Sequence, residues 1–505
     1  MSSPDAAPRR FNAARHCLAE NARLRAGKTA LVMVGEAGRA DRYGFAEVED
    51  AVLSIAAGLV ELAPEPGARV MIRMGNEADY ALVYFAAIAA GLVALPSSAQ
   101  LTPAEAAFIA EDSAAAIIVA GDGLPVESGG SRIVLRSVDI ARMKGGRPLP
   151  AYADTAADDP ATLVYTSGTT SRPKGVLHAH RAVWGRRPMH AHWLGLTESD
   201  VMLHAGTMNW TYTLGVGIAD PWACGATAIL YEGPRDPAIW PALIASEGAT
   251  LFAAVPSLYR RILKYAALSD HDLSRLRHGV TAGEALPPDL LAEWEAATGK
   301  PLYEALGMSE ISTYVSSGPT VPVRPGSPGK PQPGRRVAIL SEAGEPLPRG
   351  ETGLLAIHRS EPGLMLGYWN RPEEEAAVMR GEWFVGGDRA SLDPDGYVWF
   401  HGRADDLMNA MGYRVSPNEV EGVVGAHPDV AEVGVAELAV GAGVRVIAAF
   451  VVLKPGASAG EDDLIAWCAE RLAAYKAPRA IRFLDALPRT ANGKIQRKRL
   501  AATQA

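Results

Sequence analysis

The chain has few cysteines and no long apolar run. Cys17, Cys224 and Cys468 are odd in number and far apart, so they fit neither a disulfide framework nor a metal-ligand spacing. The longest uncharged apolar stretch, ALVYFAAIAAGLVALP, is shorter than the ~18 residues that a membrane span needs, and Gly91 interrupts it. The N-terminal residues lack the apolar segment of a secretory signal. These absences predict a soluble, cytoplasmic protein.

The chain also has no excess of basic residues. The chain has 49 Lys and Arg against 57 Asp and Glu, a net charge of −8. Because nucleic-acid binding depends on basic surfaces, we expect no nucleic-acid partner. His178, His180, His190 and His192 lack the i,i+4 spacing and the nearby carboxylates or cysteines of a metal site. We interpret them as structural, and we expect His180 to pack beside the segment 165–175.

The pattern of apolar runs predicts an α/β fold. The chain has 505 residues, more than one hydrophobic core supports, so at least two domains are expected. Short apolar runs such as TALVMV, ARVMIRM, ATLVYT, GATAILYE and ATLFAAV alternate with helical patterns, which favours stacked α/β subdomains with largely parallel sheets. A β-rich subdomain is predicted from about residue 336 to 401.

The composition changes again after Gly402. Ser416, Pro417 and Glu419 form a capping-box pattern that predicts the start of a helix. Two strand-like runs and a helical segment, EDDLIAWCAERLAAY, follow it. We therefore predict a large N-terminal domain, 1–403, and a small α+β C-terminal domain, 404–505.

The segment YTSGTTSRPKG, 165–175, follows the predicted strand ATLVYT. Its glycine-rich backbone and its hydroxyl side chains form a nest of donors suited to phosphate, with Lys174 at the rim. Pro173 stands where a P-loop NTPase has glycine, which excludes that class. The proline also favours extended geometry at Arg172, so we expect the loop to project outward. A polar surface turn is the alternative.

This segment closely resembles the signature loop of the adenylate-forming superfamily, which includes acyl- and aryl-CoA synthetases, amino-acid adenylation domains and luciferases. Ser171 stands where the pattern usually has glycine. Further motifs follow in the family's order: GEAL at 283–286, YEALGMSE at 303–310, EWFVGGD ending at Asp388, GRADDLMNAMGYRVSPNEVE at 402–421, and LPRTANGKIQRKRL with Lys494. The resemblance implies a large N-terminal domain of stacked subdomains and a mobile C-terminal domain.

The resemblance implies a role for each matching residue. ATP and AMP would be bound by Thr166, Ser167, Gly168, Thr169, Thr170, Lys174, Gly283, Glu284, Ala285, Glu304, Ala305, Leu306, Gly307, Met308, Ser309, Asp388, Arg403 and Lys494. Glu310 would hold Mg²⁺, and Lys494, Glu310 and Lys174 would be catalytic. The small domain would turn about a hinge at Asp405. CoA would be bound by Met411, Gly412, Tyr413, Arg414, Tyr475 and Lys476.

Two departures from the family pattern concern the CoA side. Asn409 stands where some branches have lysine. The run VGAGVRVIAAFVVL lacks a charged Arg-Gly-Glu turn that related ligases carry, and Arg445 is the candidate to replace it.

Several stretches, among them DPWACGA, resemble medium-chain acyl-CoA and benzoate–CoA ligases. No acidic residue lies between Thr207 and Leu214 to pair with an ammonium, which argues against an α-amino acid substrate. Gly307 stands where acetate-specific enzymes have tryptophan. With Trp210 and Tyr212 as pocket walls, this predicts a medium-chain, alicyclic or aromatic acid; ordinary core packing is the alternative for both aromatic residues.

The leading hypothesis is an AMP-forming carboxylate–CoA ligase that uses ATP, Mg²⁺ and coenzyme A. One alternative is an adenylating enzyme that loads a carrier protein. Another, of a different class, is a non-catalytic nucleotide-binding regulator. The expected partners are a small carboxylic acid, ATP and CoA, and a homodimer is one possible assembly.

Overall fold

The structure is a computed structural model, and it describes residues 6–36, 38–126, 132–166, 173–234, 236–403, 408–410, 413–415, 417–441, 444–472, 476–490 and 495–502. Its strands are β1 Thr29–Gly35, β2 Ala40–Gly44, β3 Arg69–Met74, β4 Val93–Ser98, β5 Ile117–Ala120, β6 Ile133–Leu135, β7 Pro160–Thr166, β8 Lys174–Ala179, β9 Val201–His204, β10 Thr227–Glu232, β11 Leu251–Ala254, β12 His278–Ala282, β13 Leu302–Met308, β14 Ser312–Ser316, β15 Lys330–Pro331, β16 Val337–Leu340, β17 Thr352–His358, β18 Gly367–Tyr368, β19 Met379–Arg380, β20 Trp383–Leu392, β21 Val398–Arg403, β22 Met408–Ala410, β23 Tyr413–Val415, β24 Val430–Gly441, β25 Val444–Leu453 and β26 Ala480–Phe483.

The α-helices are α1 Ala13–Leu24, α2 Phe45–Leu62, α3 Ala78–Ala89, α4 Pro103–Asp112, α5 Ser137–Lys144, α6 Arg181–Trp184, α7 Arg187–His192, α8 Asp220–Cys224, α9 Ile239–Ser246, α10 Pro256–Tyr265, α11 Pro288–Thr298, α12 Pro372–Val378, α13 Pro417–Gly425, α14 Glu461–Ala469 and α15 Arg497–Ala502. A π-helix spans Thr213–Ala219 and a 3₁₀ turn spans Leu268–Asp270. None of the described helices has the length and apolar character that a membrane span requires.

Two large sheets carry the candidate site, and both have parallel centres. The nine-stranded sheet has the order β15-β14-β13-β12-β11-β9-β10-β1-β2, and its strands from β13 to β1 are parallel. The seven-stranded sheet has the order β18-β8-β7-β4-β3-β5-β6, with antiparallel pairing at β18, β8 and β7. The predicted α/β class with largely parallel sheets is confirmed.

The longest apolar stretch folds as the sequence indicates. It forms α3, whose residues are largely buried, and then β4 inside the seven-stranded sheet. Gly91 joins them with φ 73°, a left-handed conformation that costs glycine little. The run is a buried helix and a buried strand because α/β packing covers both.

Three smaller sheets complete the described fold. One has the order β16-β17-β20-β19, with β21 paired to β20; it matches the β-rich subdomain expected between 336 and 401. The others are the β22-β23 hairpin and a sheet of order β24-β25-β26. Helix α13 begins at Pro417 as predicted, while Ser416 lies outside the described residues. Helix α14 ends at Ala469, earlier than predicted, where the Arg471 and Leu472 N–H groups turn back to the Cys468 carbonyl.

The chain divides into two compact units. The first contains 1–286, 290–336 and 357–384; the second contains 287–289, 337–356 and 385–505. Buried cores of the first unit pack α1, α2 and α3 on the two large sheets, and the core of the second packs α13 and α14 on β24 and β25. The predicted boundary between 403 and 404 stays a prediction.

Candidate active site

The phosphate-loop hairpin lies in the first unit. Thr166 ends β7 and Lys174 begins β8, and these two residues are register partners in the antiparallel pair. The predicted loop residues Ser167, Gly168, Thr169 and Thr170 lie outside the described residues. The two ends of the predicted phosphate loop, Thr166 and Lys174, therefore lie side by side.

The ends of the hairpin are anchored by residues that the sequence did not single out. The Tyr165 hydroxyl donates to the Asp112 carboxylate at 2.6 Å, and the Arg371 guanidinium donates to the same carboxylate at 3.1 Å. The Trp369 indole N–H donates to the Asp112 carbonyl at 2.9 Å. The end of α4 thus holds both the start of the phosphate loop and the segment after β18.

Lys174 and Glu310, the predicted phosphate and Mg²⁺ residues, both have internal partners. The Lys174 Nζ lies 2.7 Å from Glu374 Oε2 and 4.9 Å from the centre of the Tyr368 ring. The Tyr368 hydroxyl donates to Glu310 Oε1 at 2.7 Å. Tyr368 therefore lies between the cation and the carboxylate, and these contacts bring Lys174 and Glu310 into one site.

The predicted adenine segments meet at one edge of the nine-stranded sheet. Strands β12 and β13 are parallel neighbours, so Gly283 after β12 and Ser309 after β13 follow their carboxyl ends, where α/β sheets bind ligands. The Ser257 backbone N–H and hydroxyl donate to the Glu284 carboxylate at 3.3 Å. Gly283 and Ala285 are exposed. The structure brings these segments together as the motifs predict.

Glu304 is buried within this edge. Its Oε1 accepts a hydrogen bond from the Leu286 N–H at 3.0 Å. Burial raises the pKa of its carboxyl to about 8, and the Leu286 hydrogen bond opposes that shift. Near neutral pH the folded chain therefore favours a protonated Glu304.

Gly307 has a packing reason to be glycine. A Cβ at this position would collide with the Ser312 carbonyl oxygen and would lie 2.7 Å from the Thr313 Cα. The register between β13 and β14 shifts beside it, and Ser312 has φ 76°. The missing side chain thus allows β14 to approach closely, and Gly307 as an acyl-pocket residue stays a prediction.

Trp210 and Tyr212 are part of an aromatic cluster. Tyr212 is buried, its ring stacks on Trp193, and its hydroxyl donates to the Val280 carbonyl at 3.3 Å. Trp210 is half-buried, and a Cβ on Gly283 would lie 3.2 Å from its ring. Trp210 therefore packs on the predicted adenine segment, while Tyr212 packs mainly in the core.

A cavity of about 90 Å³, partly open to solvent, lies in the first unit and is lined by residues next to these segments. Phe85, Ile88, Leu214 and Ile311 supply much of its apolar wall. Its lining also includes Thr211, between the two predicted acyl-pocket aromatics, and Ser309, next to Glu310. The cavity thus borders both the segment that holds the predicted acyl-pocket residues, Trp210 and Tyr212, and the predicted ATP-binding segment that ends at Glu310.

A histidine and an arginine are the basic side chains that line the cavity. His178, from β8, is 8% exposed, and its Nε2 lies 2.8 Å from the Ser309 carbonyl oxygen. Burial, together with the Arg181 and Arg186 charges, lowers its pKa to about 4. Arg186 is the other group, and its guanidinium also donates to the Ser312 hydroxyl.

The Arg186 charge is compensated by a buried network. Its Nε and Nη2 donate to the two Asp220 oxygens at 2.7 and 2.6 Å, and Asp220 is fully buried. His190 Nε2 lies 3.0 Å from Asp220 Oδ1, and its Nδ1 lies 3.3 Å from Cys224 Sγ. Burial alone would lower the pKa of His190, but its bond to Asp220 raises that pKa to about 9. Sequence reasoning missed this network, although an acid inside the apolar DPWACGA run was a usable signal.

The four histidines of segment 178–192 have individual contacts in the structure. Among the described residues there is no group of three or more His, Cys, Asp or Glu side chains placed to hold a metal ion. His192 Nδ1 lies 3.0 Å from the Thr320 hydroxyl. The expectation that His180 packs beside the phosphate loop is wrong: His180 follows the far end of β8, and its Nδ1 accepts from the Ala13 N–H of α1. His178 is the histidine near the site.

The remaining predicted site residues belong to the second unit. Asp388 is buried in β20, and its register partner in β21 is Arg403. The Lys476 Nζ lies 2.5 Å from Glu419 Oε1. Lys494, Asp405, Met411, Gly412 and Tyr475 lie outside the described residues, as do the side chains of Arg403, Tyr413 and Arg414.

Comparison with known proteins identifies the family. The model of the AMP-binding enzyme matches residues 18–369, and that of the AMP-binding enzyme C-terminal domain matches residues 419–494. The chain belongs to the family of AMP-binding enzymes. It is 34% identical to a 3-hydroxybenzoate–CoA ligase of Aromatoleum sp. (strain CIB), over 86% of each protein. It is also 34% identical to a benzoate–CoA ligase of Thauera aromatica, over 98% of this chain and 96% of the relative.

A solved structure agrees with this assignment. An anthranilate CoA ligase, AuaEII, in complex with anthranoyl-AMP has a TM-score of 0.89 and 30% identity, over 98% of each chain. The resemblance to the benzoate–CoA ligase branch and the acid–thiol ligase class are confirmed. This AMP-binding enzyme is an AMP-forming carboxylate–CoA ligase that uses ATP, Mg²⁺ and coenzyme A.

The residues of the first unit fit the cofactors of an AMP-binding enzyme. Magnesium commonly binds one or two protein carboxylates together with substrate phosphates, and Glu310 offers a half-buried carboxylate oxygen beside Lys174. Magnesium on the phosphates would neutralise charge that otherwise repels an anionic acid. The individual roles of the site residues remain predictions.

Proposed function

We propose that this enzyme activates an aromatic carboxylic acid, first as the acyl adenylate and then as the CoA thioester. The main support is the agreement between the acids named for its relatives, 3-hydroxybenzoate and benzoate, and for its structural neighbour, anthranilate. The cavity lined by Thr211 and Ser309 is a second support, because its mainly apolar lining suits an aromatic ring. Medium-chain and alicyclic acids are the competing substrates.

The first half-reaction is attack of the acid's carboxylate on the α-phosphate of ATP. Both reactants are anions, so cationic groups must offset their repulsion where charge develops. In our proposal the loop 166–174 holds the phosphates, with Lys174 supplying charge and Glu310 holding Mg²⁺. Lys494 supplies a second cation between the acid and the α-phosphate.

The second half-reaction is attack of the CoA thiol on the acyl carbonyl, with AMP as the leaving group. The proposal assigns this step to a different orientation of the C-terminal domain, with Asp405 as the hinge. Residues 411–414, Tyr475 and Lys476 are then the CoA contacts. Domain movement of this kind lets one site serve two reactions.

Two alternative functions make different predictions. A carrier-loading enzyme would pass the acyl group to a phosphopantetheinyl protein in preference to CoA. A non-catalytic regulator would bind nucleotide without exchanging labelled pyrophosphate into ATP in the presence of acid. Both tests use the full chain, and CoA ligation requires exchange and a preference for CoA.

A substrate panel tests the proposed acid. AMP release is measured with CoA and matched sets of aromatic, alicyclic and straight-chain acids. We expect the highest kcat/KM for an aromatic acid. A higher kcat/KM for a straight-chain or alicyclic acid would overturn the proposal, even with the ligase activity intact.

The proposal also includes the assembly and location predicted from sequence. A homodimer would give twice the chain mass of 53.3 kDa in solution. Light scattering during size-exclusion chromatography measures that mass directly.

Fractionation of cells that express the protein tests the cytoplasmic location.

A further inference from the structure

One ring nitrogen of His178 is hydrogen-bonded, and the other has no hydrogen-bond partner among the described residues. Its Nε2 lies 2.8 Å from the Ser309 carbonyl oxygen, while its Nδ1 is buried and has no hydrogen-bond partner among the described residues. The side chain is 8% exposed and lines the cavity. Buried polar atoms are nearly always hydrogen-bonded, and because His178 lines the cavity, a molecule bound there is the candidate partner of this nitrogen.

The hydrogen bond to Ser309 determines whether His178 Nδ1 needs a donor or an acceptor as its partner. A carbonyl oxygen can only accept, so His178 Nε2 must donate and must carry the ring proton. A neutral imidazole has one N–H, which leaves Nδ1 with a lone pair. The Arg186 guanidinium in the same cavity wall favours the neutral ring. The missing partner is therefore a hydrogen-bond donor.

The cavity limits where that donor comes from. Its walls are mainly apolar, and the hydroxyl groups of residues that line it, such as Tyr84, do not donate to Nδ1. Ser309, whose carbonyl oxygen accepts the hydrogen bond from His178, also lines the cavity and precedes Glu310. An acid bound between the Thr211 segment and Ser309 would place its ring near His178.

We infer that His178 is a specificity-determining residue that accepts a hydrogen bond from a hydroxyl or amino substituent on the aromatic ring of the acid. The preferred substrates are then hydroxy- or amino-substituted aromatic acids, and the unsubstituted acid is a poorer one. This inference rests on the proposed aromatic substrate. An acid without a donor leaves Nδ1 buried and unpaired, which costs free energy that the substituted acid avoids.

The first test compares acids on the wild-type enzyme. For each ring position, kcat/KM is measured for the hydroxy, amino and fluoro acids, since fluorine is small and cannot donate. We expect the hydroxy or the amino acid at one position to exceed its fluoro counterpart about tenfold or more. Equal kcat/KM values at every position would overturn the inference, because water would then satisfy Nδ1.

Two substitutions separate the two nitrogens of His178. In His178→Gln the amide occupies the Nε2 position, so donation to Ser309 is kept and the Nδ1 acceptor is lost. In His178→Asn the amide occupies the Nδ1 position, so an acceptor is kept and donation to Ser309 is lost. We expect Gln to reduce the donor-to-fluoro ratio about tenfold and Asn to retain most of it.

His180→Asn is the matched control, because His180 is a buried histidine that does not line the cavity, and Asn keeps the acceptor for the Ala13 N–H. Its ratio should equal the wild-type ratio. If Gln and Asn at 178 change the ratio equally, or if neither changes it, the inference fails. Should a 178 variant not fold, the wild-type comparison still decides. Preference for a straight-chain or alicyclic acid would instead overturn the proposed function.

Discussion

The Lys174 ammonium, which we expect to bind the phosphates of ATP, lies 2.7 Å from the Glu374 carboxylate. Both side chains are only partly exposed, at 17% and 32%. The cation that would bind phosphate is thus already paired with an anion from α12. Phosphate must compete with this carboxylate for the same charge.

Removal of the Glu374 charge should strengthen ATP binding. In Glu374→Gln, Lys174 no longer has an internal counterion, so we expect the KM for ATP to fall severalfold, in line with an ion pair of about 1 kcal/mol. Steady-state kinetics at saturating acid measures this change. Glu373→Gln, an exposed neighbour in the same helix, is the control and should leave the KM unchanged. An unchanged or higher KM for Glu374→Gln would contradict the prediction.

Lys494 should act in only one half-reaction. We expect Lys494→Ala to reduce acid-dependent pyrophosphate exchange by about 10²–10³, the usual effect of losing one preorganised electrostatic contact. Conversion of supplied acyl-AMP to the thioester should continue. Lys454→Ala, which removes an exposed lysine of the same unit, should affect neither reaction. Equal loss in both half-reactions would argue against a domain that alternates between them.

The buried Glu304 should make stability depend on pH. Its folded pKa is about 8, whereas an unfolded glutamate titrates near pH 4.3. Its stabilising effect is fully present below the unfolded pKa and is lost as the pH rises through about 8, with a slope of at most ~1.4 kcal/mol per pH unit. Glu304→Gln keeps the acceptor for the Leu286 N–H and removes the titration.

We therefore expect the melting temperature of the wild type to decline, relative to that of Glu304→Gln, as the pH rises from 5.5 to 7.5. Differential scanning fluorimetry across this range provides the measurement. Glu293→Gln, on the exposed face of α11, should follow the wild type at every pH. Parallel curves for the wild type and Glu304→Gln would refute the raised pKa.

Loss of the Asp220 charge should destabilise the first unit strongly. In Asp220→Asn the buried Arg186 guanidinium loses its counterion, and breaking a buried pair typically costs about 3–5 kcal/mol. The double variant Arg186→Met/Asp220→Leu should recover much of the lost melting temperature, because no uncompensated charge remains. Asp154→Asn disrupts an exposed ion pair with Arg10 and should leave the melting temperature nearly unchanged. A single variant as stable as the wild type would show that the network contributes little.

The sequence predicted best those features that depend on residues close together in the chain. Runs such as ATLVYT and GATAILYE became β7 and β10, because a buried strand in a parallel sheet needs apolar side chains on both faces. The order of the motifs identified the family, since each motif is a local sequence. Gly283, Ser309 and Lys174 were assigned to one predicted site by the same motifs, although Lys174 lies in a different sheet from the other two.

The local sequence contains no information about which distant groups become partners. Glu374 lies far from Lys174 along the chain, and neither neighbourhood indicates their 2.7 Å contact. The reason for glycine at 307 likewise depends on the path of β14, and the donor required at His178 depends on the carbonyl of Ser309. Periodicity and motif order determined the elements and the chemistry, because these depend on residues close in sequence. Tertiary packing decided which charges pair and which polar atom stays unsatisfied, because those depend on strands brought together from distant parts of the chain.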